Sequence, residues 1–289
     1  MIHDLTLLSG ASATTHNSIA QTGGLQNGQA ELWREELEVL CHALSHDLRA
    51  PLRSIGGFSK VVLDSLCEKL DEQATANFQR VIKATEDMGA LLDGLLQLTR
   101  VTRHVMGKSV VDLSDIAQRV VAKFRSLHPE KDIKVTITPH LTAFGDPLLL
   151  NLALEQLFEN AWKFSRSQGP SKICFGGNYD ETESVFYLYD NGIGFDMTSY
   201  HELFGVFQRL HHAPDLPGCG IGLAIVKRIL QRHDGNIWAK GIPDLGACFW
   251  FNIPNDATHE TTTLHSHDRR QRKRRNAGAD RVGTAVTRV

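Results

Sequence analysis

The sequence predicts an α+β fold in which a helical hairpin is followed by a sheet with helices packed on one face. Two observations support this prediction. Near the start of the chain, apolar residues recur alternately four and three positions apart, as they do in paired helices. From about Asp112 onward, strand-like runs mix with shorter helical runs. With 289 residues and a hydrophobic content of 42%, the chain suits two modest domains.

The first predicted helix carries a histidine opposite its apolar seam. The seam comprises Leu37, Cys41, Leu44, Leu48, Pro51, Ile55, Phe58 and Val62. If these are heptad positions a and d, His46 falls at position f and points into solvent, where it can act as a nucleophile. Asp47 can accept a hydrogen bond from one ring nitrogen and leave the other nitrogen free to attack. A lone exposed histidine is usually a solvated surface residue, but Pro51 introduces a costly kink one turn later, which favours a functional shape.

A second apolar seam predicts the other helix of the hairpin. It follows a polar turn at residues 68–71 and comprises Phe78, Val81, Thr85, Met88, Leu92 and Leu95. The short connection predicts an antiparallel pair. Because one hairpin cannot bury both apolar faces, we expect a homodimer in which two hairpins form a four-helix bundle. The alternative is an intramolecular pair that packs on the rest of the chain.

The second half of the chain predicts one sheet with helices on one face. The expected helices cover residues 114–124, a segment starting at Asp146-Pro147, and residues 222–232. The expected strands are residues 133–137, 173–176, 184–189, a run near Ile237, and 248–253.

Three polar or glycine-rich segments in this half indicate binding chemistry. Asn160 and Lys163 lie three residues apart on one side of a predicted helix, where the amide oxygen suits Mg²⁺ and the ammonium suits phosphate. Asp190 follows a strand and precedes Gly192 and Gly194, so it could accept a hydrogen bond from an exocyclic amine. The third segment has Gly218, Gly220 and Gly222 directly before a helix, a pattern typical of a phosphate cradle. Each glycine set alone could be an ordinary turn.

Taken in order, these segments resemble the sequence boxes of a sensor histidine kinase. The resemblance covers roughly residues 35–257 and comprises a phospho-acceptor box at 44–52, an asparagine box at Asn160, a first glycine box at 190–194, a phenylalanine box at 203–211 and a second glycine box at 218–222. Residues 45–58 and 160–165 are similar to the transmitter halves of bacteriophytochrome-like kinases.

The resemblance implies two functional domains. Residues 31–107 would form a dimerisation and histidine phosphotransfer domain, and residues 108–257 a Bergerat-type α/β sandwich that binds ATP under a mobile lid between Phe204 and Gly222. By the same resemblance, Asp190 would bind the adenine amino group and Asn160 would hold Mg²⁺, while Lys163 and the amides of residues 218–222 would contact the phosphates.

The reaction implied by the resemblance is phosphoryl transfer from ATP to protein. His46 would attack the γ-phosphate, and the phosphoryl group would later pass to an aspartate of a response regulator.

Two departures from the kinase pattern leave alternatives open. Gln156 stands where related Bergerat ATPases have a water-activating glutamate and kinases usually have asparagine, and Gly205-Val206 replaces an acidic-proline pair. Because an amide cannot accept the proton from water, we expect slow hydrolysis and favoured transfer to His46. The alternatives are a Bergerat-fold ATPase and a catalytically inactive dimeric signalling scaffold.

The composition and the ends of the sequence give further expectations. The five cysteines show no pairing or metal-ligand spacing, and no apolar stretch reaches membrane-spanning length, so we expect a cytoplasmic protein. Residues 1–30 read as a flexible leader, which suggests that the controlling signal comes through a partner. Residues 258–289 read as a disordered tail containing the basic run Arg269–Arg275, for which nucleic-acid or membrane contact is the less favoured role.

Overall fold

The computed structural model describes residues 43–45, 47–66, 69–165, 170–179, 183–208 and 219–255. The predictions for His46, for Gly218, for the leader and for the basic tail therefore lie outside the described residues, as do those for residues 209–211 of the phenylalanine box. Among the described residues, no helix has both the length and the hydropathy needed to cross a membrane.

The predicted helical hairpin is present. Residues 43–45 and 47–65 are helical and form α1, and α2 runs from Glu72 to Arg103. Asp71 caps α2, because its side chain accepts a hydrogen bond of 2.7 Å from the Ala74 N–H. Arg49 of α1 forms an ion pair of 2.5 Å with Asp93 of α2, which joins the two helices.

The single chain leaves much of the predicted seam of α1 uncovered. The buried residues of α1 are Ser45, Leu52 and Ser59, which are spaced seven apart and so share one side of the helix. Members of the predicted seam are exposed instead, with exposed fractions of 57% for Leu44, 42% for Leu48, 48% for Ile55 and 72% for Phe58. Within one chain, α1 thus has an apolar face without a covering element among the described residues.

The second half of the chain forms the predicted sheet and helices, plus short elements that the sequence pattern missed. Its helices are α3 (Leu113–Leu127), α4 (Pro147–Lys163) and α5 (Gly222–Arg232), and its strands are β1 (Ser109–Asp112), β2 (Ile133–Ile137), β3 (Thr142–Gly145), β4 (Ser171–Tyr179), β5 (Glu183–Asp190), β6 (Ile237–Ile242) and β7 (Gly246–Pro254). The unpredicted elements are β1, β3 and a 3-10 helix at Met197–Glu202.

The main sheet has five strands in the order β2-β4-β5-β7-β6. Strand β2 pairs with β4 in parallel, and the other neighbours are antiparallel. Strands β1 and β3 form a separate antiparallel pair. This topology places β5, which ends at Asp190, in the middle of the sheet.

The core lies between the sheet and the three helices α3, α4 and α5. In β5, Ser184, Phe186, Leu188 and Asp190 are buried while the residues between them are more exposed, as expected for a strand covered on one face. Aromatic pairs fill the interior: Phe158 of α4 lies edge-on to Phe175 of β4 at 5.9 Å, and Phe186 stacks on Phe251 at 5.2 Å. The predicted fold class, a helical hairpin followed by an α/β sandwich, is therefore confirmed.

Candidate functional site

Asp190 is a buried carboxylate at the end of the central strand β5. Only 5% of its surface is exposed. Burial raises the pKa of this carboxyl to about 6, although hydrogen bonds from the backbone N–H groups of Gly192 and Ala247 oppose the rise. The Gly192 N–H donates to Oδ1 at 2.9 Å. The fold thus holds a hydrogen-bond acceptor at a fixed place in a largely apolar environment.

The turn after Asp190 requires glycine because the backbone is crowded there. Gly194 has φ of 62°, and a Cβ at this position would lie 1.9 Å from the Ile242 carbonyl oxygen. Asn191, which the sequence analysis did not single out, ties the turn to β4: its Oδ1 accepts from the Lys172 N–H at 2.7 Å, and its Nδ2 donates to the Pro170 carbonyl at 3.0 Å. An asparagine within a glycine-rich turn could have indicated this bracing role.

The helix α4 places Asn160 and Lys163 at its C-terminal end, close to the Asp190 turn. Asn160 and Lys163 are half-buried, and Lys163 Nζ lies 4.5 Å from the centroid of the Phe164 ring. The Phe164 carbonyl accepts a hydrogen bond of 3.1 Å from the Ile193 N–H, which joins the end of α4 to the turn. The structure therefore brings the predicted asparagine box and the first glycine box together.

The second glycine box leads into α5, whose first turn has no side-chain cap. Gly220 has φ of 70°, and a Cβ there would lie 2.4 Å from the Gln208 carbonyl oxygen. Ile221, the N-cap residue just before α5, makes no capping hydrogen bond with its side chain. The N-cap side chain thus does not bind the N–H groups of the first helical turn. Such N–H groups at a helix start can bind an anionic group.

Gln156 joins α4 to the start of α5. A Cβ on Gly222 would lie 2.5 Å from Gln156 Oε1, so the amide side chain is packed against the glycine box. Its Nε2 donates to Glu159 Oε2 at 3.4 Å. The residue that replaces the water-activating glutamate of related ATPases therefore lies beside the candidate phosphate cradle.

The described part of the phenylalanine box packs on the 3-10 helix. The Phe204 ring lies edge-on to Tyr200, with a centroid separation of 6.0 Å. Phe207 has φ of 65°, which is a strained backbone conformation for a residue with a large side chain. Half of its surface is exposed. This strained end leads to residues 209–218, which are outside the described residues.

No cluster of metal ligands exists in the described part of the chain. Groups of three or more His, Cys, Asp or Glu with suitable placement are absent there.

Two family descriptions match the chain. Residues 36–103 match the His Kinase A (phospho-acceptor) domain, and residues 145–257 match the histidine kinase-, DNA gyrase B- and HSP90-like ATPase domain. The first match covers the hairpin, and the second covers four of the five strands of the main sheet, Asn160 and the two glycine boxes.

Relatives of the chain include a phytochrome-like protein, a regulatory histidine kinase and a sensor protein kinase. The chain is 29% identical to the phytochrome-like protein Cph1 of Synechocystis sp. over 76% of its length, and 30% identical to the methanogenesis regulatory histidine kinase FilI of Methanothrix harundinacea over 84%. It is 26% identical over 78% of its length to the sensor protein kinase WalK of Staphylococcus epidermidis. The chain spans 29%, 28% and 38% of these relatives, respectively.

Solved structures share the fold. Full-length ShkA in complex with AMPPNP aligns with a TM-score of 0.52 and 22% identity, over 75% of this chain and 46% of that one. The Acinetobacter baumannii histidine kinase AdeS aligns with a TM-score of 0.51 and 19% identity, over 73% of this chain and 98% of that one. At these identities, the likeness describes the arrangement of helices and strands.

Proposed function

We propose that this chain, which belongs to the sensor histidine kinases and comprises a transmitter segment, is an ATP-dependent protein-histidine kinase. It transfers the γ-phosphoryl group of ATP to His46 and passes it on to an aspartate of a response regulator. The observation that carries the proposal is the succession, in one chain, of a phospho-acceptor hairpin and a sandwich that contains a buried Asp190 and an uncapped helix start.

The chemistry of the site fits ATP. Asp190 is an acceptor for the adenine amino group, and its position at the end of a central strand fixes the depth of the base. Gly192 and Gly194 let the base approach the turn closely. Lys163 and the amides at Gly218, Gly220 and Gly222 supply positive charge and N–H donors for the phosphates.

The site also fits Mg²⁺ held mainly by the nucleotide. Asn160 offers a neutral oxygen ligand on the helix that borders the Asp190 turn, and Mg²⁺ commonly binds through one or two protein oxygens together with phosphates. When bound, Mg²⁺ would neutralise charge that develops on the transferred phosphoryl group.

Transfer to histidine is favoured over hydrolysis by the residues present. Asp47 would accept the proton on one imidazole nitrogen of His46 and leave the other nitrogen to attack phosphorus in line. The bond from the γ-phosphorus to the bridging oxygen breaks, a phosphorus–nitrogen bond forms, and ADP leaves. Gln156 cannot accept a proton from water, so the site has no general base at the position that ATPases of this fold use.

Dimerisation through the hairpins is part of the proposal. The exposed apolar side chains Leu44, Leu48, Ile55 and Phe58 lie along α1, and a second copy of the hairpin would cover them in a four-helix bundle. A receiver domain with an acceptor aspartate is the expected partner for phosphotransfer.

Incubation with γ-labelled ATP tests the proposal. Wild-type protein should acquire label that is labile in acid and stable in alkali, as a phosphoramidate is, and His46→Gln should acquire none while still binding ATP. Release of free phosphate without protein label would instead support an ATPase, and neither product would support an inactive scaffold. Label that persists in His46→Gln would overturn the assignment of the acceptor.

A further inference from the structure

Helix α5 lies along the second half of α2 and contacts it at both ends. Near its start, the side chain of Ile221 packs on Gly94, where an added Cβ would lie 2.6 Å from the Ile221 Cδ1 atom. Further along, Arg228 Nε donates to Thr102 Oγ1 at 3.3 Å. Since positions 221 and 228 contact positions 94 and 102, the two helices run in the same direction.

Arg232 closes the far end of this contact. Its two terminal nitrogens donate to the backbone carbonyls of Val101 and His104, each at 2.5 Å. Carbonyls at the end of a helix have no intrahelical partner and carry the negative end of the helix dipole, so a guanidinium is well suited to bind them. The planar fork of arginine can reach both carbonyls at once, which lysine cannot do.

Asp146 fixes the linker that leaves α2. Its Oδ2 accepts from the Gly107 N–H and lies against His104 Nε2, both at 2.8 Å, while its Oδ1 accepts from the first amides of α4. The residue is only 3% exposed. Burial alone would raise the pKa of this carboxyl, but the hydrogen bonds from Gly107, Leu149 and His104 hold it below its usual value.

The two ends of the contact are about one helix length apart. At a rise of about 1.5 Å per residue, Ile221 and Arg232 are separated by about 16 Å along α5, and Gly94 and His104 by about 15 Å along α2. Because the two spans match, α5 is held on α2 at both ends. The Arg232 contact therefore limits movement of α5 along α2 and rotation of α5 about the Ile221 contact. Of the α2–α5 contacts described above, the Ile221 packing and the Arg228 hydrogen bond would remain if the Arg232 contact were lost.

The start of α5 lies at a level of α2 that also contacts α1. Gly94, under Ile221, follows Asp93, which pairs with Arg49. In the sequence, Arg49 comes three residues after His46, the candidate phospho-acceptor. The register of α5 on α2 therefore sets the level of the first turn of α5 relative to Arg49 of α1.

We propose that Arg232 is a positioning residue for phosphoryl transfer. Together with Asp146 it holds residues 101–107 against the ATP-binding part and so keeps the start of α5 at the level of the Arg49–Asp93 pair, on the helix pair that contains the phospho-acceptor box. This inference rests on the proposed kinase function. Arg232 touches no nucleotide-binding residue named above, so its loss should slow transfer and leave ATP binding unchanged.

The test compares Arg232→Met, which keeps most of the side-chain length, with Lys227→Met, which removes an exposed cation from the same helix. We expect Arg232→Met to lower the rate constant for autophosphorylation at saturating ATP about tenfold or more, with the dissociation constant for an ATP analogue within about twofold of wild type. Arg232→Lys should recover part of the rate because it can still bind one carbonyl. Lys227→Met should behave like wild type.

A second measurement does not depend on kinase activity. Hydrogen exchange of peptides covering residues 101–108 should accelerate in Arg232→Met and in His104→Ala, but not in Lys227→Met. Unlabelled wild-type protein would contradict the proposed function yet leave this measurement valid. Unchanged exchange, an undiminished transfer rate, or an equal loss of ATP binding would each overturn the positioning role.

Discussion

We predict that the buried carboxyl of Asp190 makes ATP binding sensitive to pH. Because burial raises the pKa of this group to about 6, the carboxyl is mostly ionised at pH 7 and mostly protonated at pH 5. The ionised carboxylate is an acceptor only, which suits the adenine amino group, whereas the protonated form has a donor of its own. We expect ATP to bind preferentially to the ionised form.

The size of the effect follows from the fraction ionised. With a pKa of about 6, that fraction falls from roughly nine tenths at pH 7 to roughly one tenth at pH 5, so the apparent dissociation constant should rise about tenfold, or about 1.4 kcal/mol. The free energy of unfolding should change with pH in the direction opposite to the change in ATP affinity. Because the folded pKa is above the ordinary value of 3.8, the unliganded protein loses stability as pH rises from about 4 through about 6, by up to about 3 kcal/mol.

Calorimetric titration with a non-hydrolysable ATP analogue between pH 5 and 7.5 measures the binding effect. Asp190→Asn should bind more weakly at pH 7 and lack the Asp190 step, and its profile also corrects for titration of the nucleotide phosphates. Asp196→Asn is the matched control, since Asp196 is a carboxylate that caps the 3-10 helix through the Thr198 N–H, and it should keep the step. Equal pH profiles for wild type and Asp190→Asn would refute the reasoning.

Three further changes have defined outcomes. Asn160→Ala should weaken Mg-dependent ATP binding and abolish His46 labelling but preserve the dimer, as measured by light scattering; dissociation into monomers would show that the interface is not on the hairpin. Gly194→Ala should lower the free energy of unfolding by more than about 3 kcal/mol, because the new Cβ would meet a carbonyl oxygen at a position with positive φ. Gly89→Ala, where a Cβ would have nothing within 4 Å, should instead raise the free energy of unfolding by up to about 1 kcal/mol. Thermal or urea unfolding measures both changes. Ala50 has no polar side chain to orient water, so His46→Gln protein should not speed decay of the phosphorylated regulator; clear acceleration would contradict this.

The regular elements were predictable where one face of an element is buried. Helix α5 begins and ends at the predicted residues 222 and 232, and β2 covers the predicted residues 133–137. The start of α4 was predictable because Asp146 and Pro147 are local capping signals, and Asp146 accepts from the first amides of the helix. Strands β1 and β3 were missed because each has only four residues, too few for a periodic pattern.

The sequence by itself determined which residues are candidates for the chemistry, because box order and glycine spacing are local properties of the chain. It identified Asp190, Asn160 and the glycine boxes, and it indicated the hairpin from the spacing of apolar residues. Only the tertiary structure decided the pKa of Asp190, because desolvation depends on strands and helices distant in sequence. It also decided that Arg232 binds carbonyls more than a hundred positions earlier in the chain, a contact with no local signature, since an arginine near a helix end is ordinary until another helix end is placed against it.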